Sequence, residues 1–309
     1  MQRTDITASL QQRLIGTLFT AESLFAAAQI AALTLMPVVA AELSGQDLLA
    51  GVPTTAMLVG QAAAAYFIGS LMDRLGRRTG LTLGYLVATL GAIVATAAVS
   101  WSAFLVLCIG AGMMGMGRGA GLQARFAAAE IEPPQRQARA IGIIVFAGTI
   151  GAIVGPLLVA PSQRWAEFFG FALRAGPYLA AAALFYGAVL VTFFLLRPDP
   201  MTVRQAWTSH EASDEAPSEE PDAPPTSQSS QSLRQIFTPT DVRLALAAML
   251  IGQLVMVLIM VTTPLYMNRQ AYSDGAISVV MAGHTLGMFG LAALTGWLIE
   301  RVGRKRMIC

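Results

Sequence analysis

Glu22, Arg118 and His284 differ most sharply in chemistry from the residues around them. Each interrupts a long apolar run: "TLFTAESLFAAAQIAAL" (17–33), "GMMGMGRGAGL" (112–122) and "VVMAGHTLGMF" (279–289). A carboxyl in such company can carry a proton, a guanidinium can hold an anion or that carboxyl, and an imidazole can titrate near neutral pH. Gln29 lies seven residues, or two helical turns, after Glu22 and shares its face. Gln253 and Gln61 are polar interruptions of the same kind and of lower rank. None of these stands in a Ser/His, paired-acid or metal-ligand constellation. Cys108 and Cys309 cannot make a metal site or a disulfide framework, and no G-x-x-x-x-G-K loop is present. The chain is therefore expected not to be an enzyme and to need no metal, cofactor or ATP.

A second kind of chemistry is charge at the end of an apolar run, and it occurs twice. Residues 69–78 read "GSLMDRLGRR" and residues 296–305 read "GWLIERVGRK". Aligning Gly69 with Gly296 pairs Gly60 with Gly287, Asp73 with Glu300, Arg74 with Arg301, Gly76 with Gly303 and Arg77 with Arg304. An acid at a helix C-terminus is disfavoured by the helix dipole, whereas Arg74, Arg77 and Arg78 are favoured there. Asp73 therefore needs a partner, either an arginine of the loop or the N-terminus of a neighbouring helix. Gly69 lets another helix approach, and Gly76 can end its own.

The elements that must position these groups follow from composition. Hydrophobic residues make up 55% of the 309, and 12% are charged, against about 25% in an ordinary soluble domain. Several runs exceed the roughly 20 apolar residues that span a bilayer as a helix. They are continuous rather than alternating, which excludes a membrane barrel. The reading is an all-α polytopic membrane protein with eight crossings, near 14–37, 51–72, 79–100, 102–124, 138–160, 176–197, 242–267 and 276–299. The N-terminus is no cleavable signal, because a full-length span follows it without a small-residue cleavage site. The segment "HEASDEAPSEEPDAPPTSQSSQS" (210–232) is acidic, rich in Pro and Ser, and too polar to build a core. The expected organisation is a six-helix bundle over 1–197, a disordered cytoplasmic linker over 198–240, and two helices of a second bundle over 241–309.

With the N-terminus cytoplasmic, sixteen Lys and Arg fall on the inner side and three (Arg164, Arg174, Arg269) on the outer, with Arg118 inside a helix. That bias sets the orientation, and Trp101 fits an outer interface anchor. Net charge is only +2, too small to indicate nucleic acid. Depth places Glu22 about 12 Å from the inner end of the first helix, at 1.5 Å per residue. Arg118, on an antiparallel helix, falls at a similar depth.

The pattern G-x-x-x-D-R-x-G-R-R of residues 69–78 resembles the signature loop of the major facilitator superfamily, with Glu and Lys replacing Asp and the last Arg in the second copy. Gly148, Gly151, Gly155 and Pro156 ("GTIGAIVGP") resemble the glycine-proline motif of its antiporters, including drug:proton antiporters. Arg118 with Gly119 and Gly121 is similar to its arginine motif, one residue short in spacing. The resemblance covers the chain outside the linker. It implies two parallel bundles and a loop that latches them in one state and releases them in the other. It also implies that helices one and four line the cavity, so that Glu22 and Arg118 meet there, Glu22 exchanging protons or contacting a cationic substrate. The implied function is secondary active transport of a small organic solute, with proton-coupled export by alternating access. A uniporter or symporter of the same fold, or a non-transporting scaffold or truncated relic, remain as alternatives. Partners are then a small-molecule substrate, protons and the lipid bilayer, for a monomer in the cell inner membrane. The superfamily has twelve helices, and position 309 aligns with residue 82, the start of a third helix. A C-terminally truncated chain, ending where helix nine begins, is expected.

Overall fold

A computed structural model describes residues 2–133, 136–204 and 240–290. Among the described residues there is no strand, and seven helices are long and apolar enough to cross a membrane. The described part of the eighth expected crossing is the 17-residue helix Asp274–Gly290. The second charged block, with Gly296, Glu300, Arg301, Gly303 and Arg304, lies outside the described residues, as does most of the expected linker.

The first half comprises α1 (Gln2–Ser44), α2 (Val52–Leu75), α3 (Arg77–Ser100), α4 (Phe104–Gly121), α5 (Ala124–Ile131), α6 (Gln137–Leu157), α7 (Val159–Phe168) and α8 (Gly176–Leu195). The second half contributes α9 (Thr240–Arg269) and α10 (Asp274–Gly290). Two elements go beyond the sequence reading. The fourth crossing continues through α5 as one apolar stretch, Phe104–Ile131. The other is α7, which follows the fifth crossing directly and carries Pro161, Gln163, Arg164 and Glu167. Those polar residues break the hydropathy signal, so a short helix there is invisible to a search for spans.

In lipid, helices associate through close packing rather than through a hydrophobic driving force, so small residues decide which faces meet. Helix α4 runs between α2 and α3 on a track of glycines. A Cβ on Gly115 would strike the Met57 carbonyl, and one on Gly119 would come within 2.8 Å of Ala64 Cβ. On its other side, a Cβ on Gly117 would lie 2.5 Å from Ala88 Cβ. Helix α1 occupies the middle, touching α6, α8 and α9. Behind its Glu22 turn, Phe25 stacks on Tyr85 with centroids 5.0 Å apart and tilts against Phe185 at 4.8 Å. Large apolar side chains such as Phe67, Ile109, Phe146 and Leu254 face outward, which is the arrangement a hydrocarbon solvent requires. The molecule is a multi-pass α-helical membrane protein.

Candidate functional site

The charged loop is built at the junction of α2 and α3. Gly76 ends α2 with φ +89°, its N–H bonding to the Met72 carbonyl at 3.1 Å, and α3 begins at the next residue. Such a left-handed turn suits a residue without Cβ. Arg77 is the hub. Its Nη1 lies 3.2 Å from Asp73 Oδ1, one turn back. Its Nε and Nη2 grip the Glu130 carboxylate of α5 at 3.0 and 2.8 Å. Asp73 is thus paired with a loop arginine, as the dipole argument required. The helix N-terminus is held by a different acid: Asp199 accepts the backbone N–H groups of Arg77 (3.2 Å) and Arg78 (3.0 Å), capping α3. Residue 198 was expected to open a disordered linker, yet its neighbour Asp199 is docked on the bundle. Arg78 donates to the Phe193 carbonyl and lies over the Phe193 ring, and Arg74 is exposed. A Cβ on Gly69 would meet nothing among the described residues.

At the opposite end a second arginine is a hub of another kind. Arg174, between α7 and α8, donates through Nη2 to Asp274 Oδ1 at 3.1 Å and to Asn268 Oδ1 at 2.9 Å, and also pairs with Glu42 of α1. Gln163 of α7 reaches the same Asp274 carboxylate at 2.6 Å. Asn268 and Asp274 belong to α9 and α10, so this clasp joins the two halves. Arg269 forms a further pair with Asp47, in which both side chains are largely exposed.

Two polar cavities lie between the ends and a third at one of them. Glu22 and Arg118 line one of about 210 Å³, with Arg125, Gly148 and Thr149. The two groups share this wall without a direct ion pair; the charges of Arg118 and Arg125 act on the carboxyl across it. Glu22 Oε2 and Arg125 Nε are buried with no hydrogen-bond partner. Arg118 and Ile30 also belong to a larger cavity of about 520 Å³ between the halves. That cavity is lined by Gln29, Thr54 and Gln61 from the first half and by Gln253, Met260 and Thr285 from the second. A third, of about 360 Å³, opens at the end of the charged loop between α1 and α6, beside Glu132, Arg136 and Arg139.

The glycine-proline segment forms the seam that presents Glu22. A Cβ on Gly151 would strike the Ser23 carbonyl, one on Gly155 would come within 2.6 Å of the Ala27 carbonyl, and one on Gly148 would lie 3.4 Å from Glu22 Oε1. Ser23 Oγ donates to the Ala147 carbonyl at 3.1 Å across the same seam. Pro156 is buried in the last turn of α6, just before α7.

Glu22, Gln29, Arg118 and Gln253 are thus brought to two adjoining cavities, whereas His284 lines neither of them. Its neighbours Thr285 and Met288 line the larger one, and His284 Nε2 is buried without a partner. Sequence reasoning missed Glu130, Asp199 and Arg125, and it assigned Arg174 only to a side of the membrane. A helix-face projection would have placed Arg125 seven residues after Arg118 on the same stripe. Nothing local marks Glu130 as a partner of Arg77, or the partners of Arg174.

Comparison with known proteins agrees with this architecture. The model of the Major Facilitator Superfamily matches residues 18–309. The uncharacterised MFS-type transporter YdeG of Bacillus subtilis is 31% identical over 299 residues, covering 97% of this chain and 67% of the relative. The riboflavin transporter RfnT of Brucella anthropi is 27% identical over 308 residues, covering 98% and 70% respectively. The chain thus spans about two thirds of the length of these curated relatives. The crystal structure of a D-xylose-proton symporter shares the fold with a TM-score of 0.59 at 13% identity, over 96% of this chain and 69% of that one. With a family model covering nearly its whole length and relatives that are transporters rather than enzymes, the chain belongs to the Major Facilitator Superfamily.

Proposed function

We propose that this chain acts as a proton-coupled secondary transporter that exports a small organic solute by alternating access. The observation that carries the reading is Glu22: a carboxyl within a candidate span, in a cavity wall it shares with Arg118. An ionisable group at that depth is retained for function because its desolvation is costly. Arg118 belongs to both this cavity and the one between the halves, so a proton on Glu22 changes the field at the solute site. The Arg174 clasp ties the two halves at one end, and alternating access requires a tie of this kind to break in the opposite state. Export is supported by the resemblance of Gly148, Gly151, Gly155 and Pro156 to the antiporter motif. An organic solute is supported by the relative named for riboflavin. The excess of Lys and Arg in the alternate loops supports a cytoplasmic N-terminus in the inner membrane, and the transporter is proposed to work as a monomer.

The test is reconstitution of the 309-residue chain in vesicles carrying a pH-sensitive dye and an imposed proton gradient. Proton movement opposing solute movement is expected, and Glu22→Gln should abolish the coupling. Unchanged proton-coupled flux in that variant overturns the reading, and movement of both in one direction makes the protein a symporter.

A further inference from the structure

Polar atoms without partners converge on the cavity between the halves. Gln29 Oε1 and Thr54 Oγ1 are buried and accept or donate no hydrogen bond. The Gln29 Nε2 has only the Met57 thioether at 2.8 Å, a weak acceptor. Gln61 and Gln253 add carboxamides from α2 and α9, so both halves offer the same chemistry. Arg118 is the one charged residue among the described lining, and it forms no hydrogen bond or ion pair with a described residue. Glu22 lines the adjoining cavity together with Arg118, so an acid of this chain already shares the guanidinium's surroundings. The remaining surface is soft: four methionines, Met57 and Met260 among them, line the space.

Carboxamides pair best with groups that donate and accept side by side, as in a lactam or imide edge. Methionine sulfur favours aromatic faces and adapts to their outline. A site whose buried polar groups are otherwise unpaired also rejects solutes that lack partners for them. A volume of about 520 Å³ suits a ligand of a few fused rings.

Resting on the transporter reading above, we propose that the cavity between the halves takes an uncharged, flat heteroaromatic solute with a carbonyl and N–H edge. The carboxamides of Gln29 and Gln253 hold that edge from opposite halves, and Arg118 donates to its carbonyl oxygen. A solute bound this way touches both bundles, so its polar edge reports on their approach.

The test uses the 309-residue chain in lipid nanodiscs, with empty nanodiscs as the blank, and fluorescence anisotropy of three ring-matched probes. These are phenanthridin-6(5H)-one (neutral, with carbonyl and N–H adjacent on one lactam edge), phenanthridine-6-carboxylate and 5-methylphenanthridinium. The lactam is expected to bind at least tenfold more tightly than either ion. Gln253→Leu and Gln29→Leu should each weaken it about tenfold. Gln253 is exposed, so its variant stays informative if the buried Gln29→Leu fails to fold, which a melting curve reports. Absent lactam binding, a tenfold preference for either ion, or lactam affinity unchanged in Gln253→Leu overturns the proposal. The assay has no gradient, so unchanged proton-coupled flux in Glu22→Gln vesicles with phenanthridin-6(5H)-one binding intact would sink the coupling reading and leave this inference standing.

Discussion

The two ends of the molecule each gather carboxylates around one arginine, yet the clusters join different things. At the loop end, Arg77 ties Asp73, Glu130 and the turn capped by Asp199, all from the first half of the chain. At the other end, Arg174 ties Glu42 of the first half to Asp274 and Asn268 of the second. A cluster within one bundle is made in every state of that bundle and contributes to its stability. A cluster between bundles is made only while they touch, so it biases one state over another. Similar chemistry thus lies within one bundle at one end and between the two halves at the other.

Three substitutions test that contrast. Arg77→Ala should act most strongly, because it leaves Glu130, 10% exposed, without its bidentate partner. Arg204 reaches the same carboxylate at 3.4 Å from an exposed position and is a poor substitute. Breaking a buried pair from one side costs about 3–5 kcal/mol, to be read as a lowered melting temperature in detergent. An unchanged melting curve would mean that the loop cluster is not what holds the first bundle. Arg174→Gln should move melting little and conformation much. Losing charge-assisted hydrogen bonds worth about 1.5–3 kcal/mol should broaden the distance distribution between spin labels at exposed Leu48 and Tyr272. If instead melting falls and the distances hold, the clasp is a fixed part of the fold. Arg269→Gln should do neither. Its pair with Asp47 joins the same two halves but lies at the surface, where solvent and salt screen it. An effect as large as that of Arg174→Gln would show that joining the halves matters more than burial.

The candidate site was legible in parts, and each part has a local cause. Glu22 and Arg118 could be matched because depth along a helix is counted residue by residue, and antiparallel helices share one scale of depth. The seam of Gly148, Gly151 and Gly155 could be foreseen because spacing of three and four puts small residues on one face. The neighbour that would meet this face, α1 at Ser23 and Ala27, could not. The clearest divergence is His284: it lies within α10, but Thr285 and Met288 line the cavity instead. One residue is a 100° turn of a helix, and hydropathy alone does not fix which side faces the partner when every side is apolar.

The sequence by itself determined the membrane class, seven of the eight expected crossings among the described residues, and the superfamily. These depend on run length, charge and short motifs, all written in consecutive residues. Only the tertiary structure decided that Arg77 closes on Glu130, that Asp199 caps α3, and that Arg174 spans the halves. It also decided that Arg118 stands between Glu22 and a cavity of carboxamides. Those pairings join residues tens to more than a hundred positions apart, and close packing of helix faces, which no local pattern encodes, selects them.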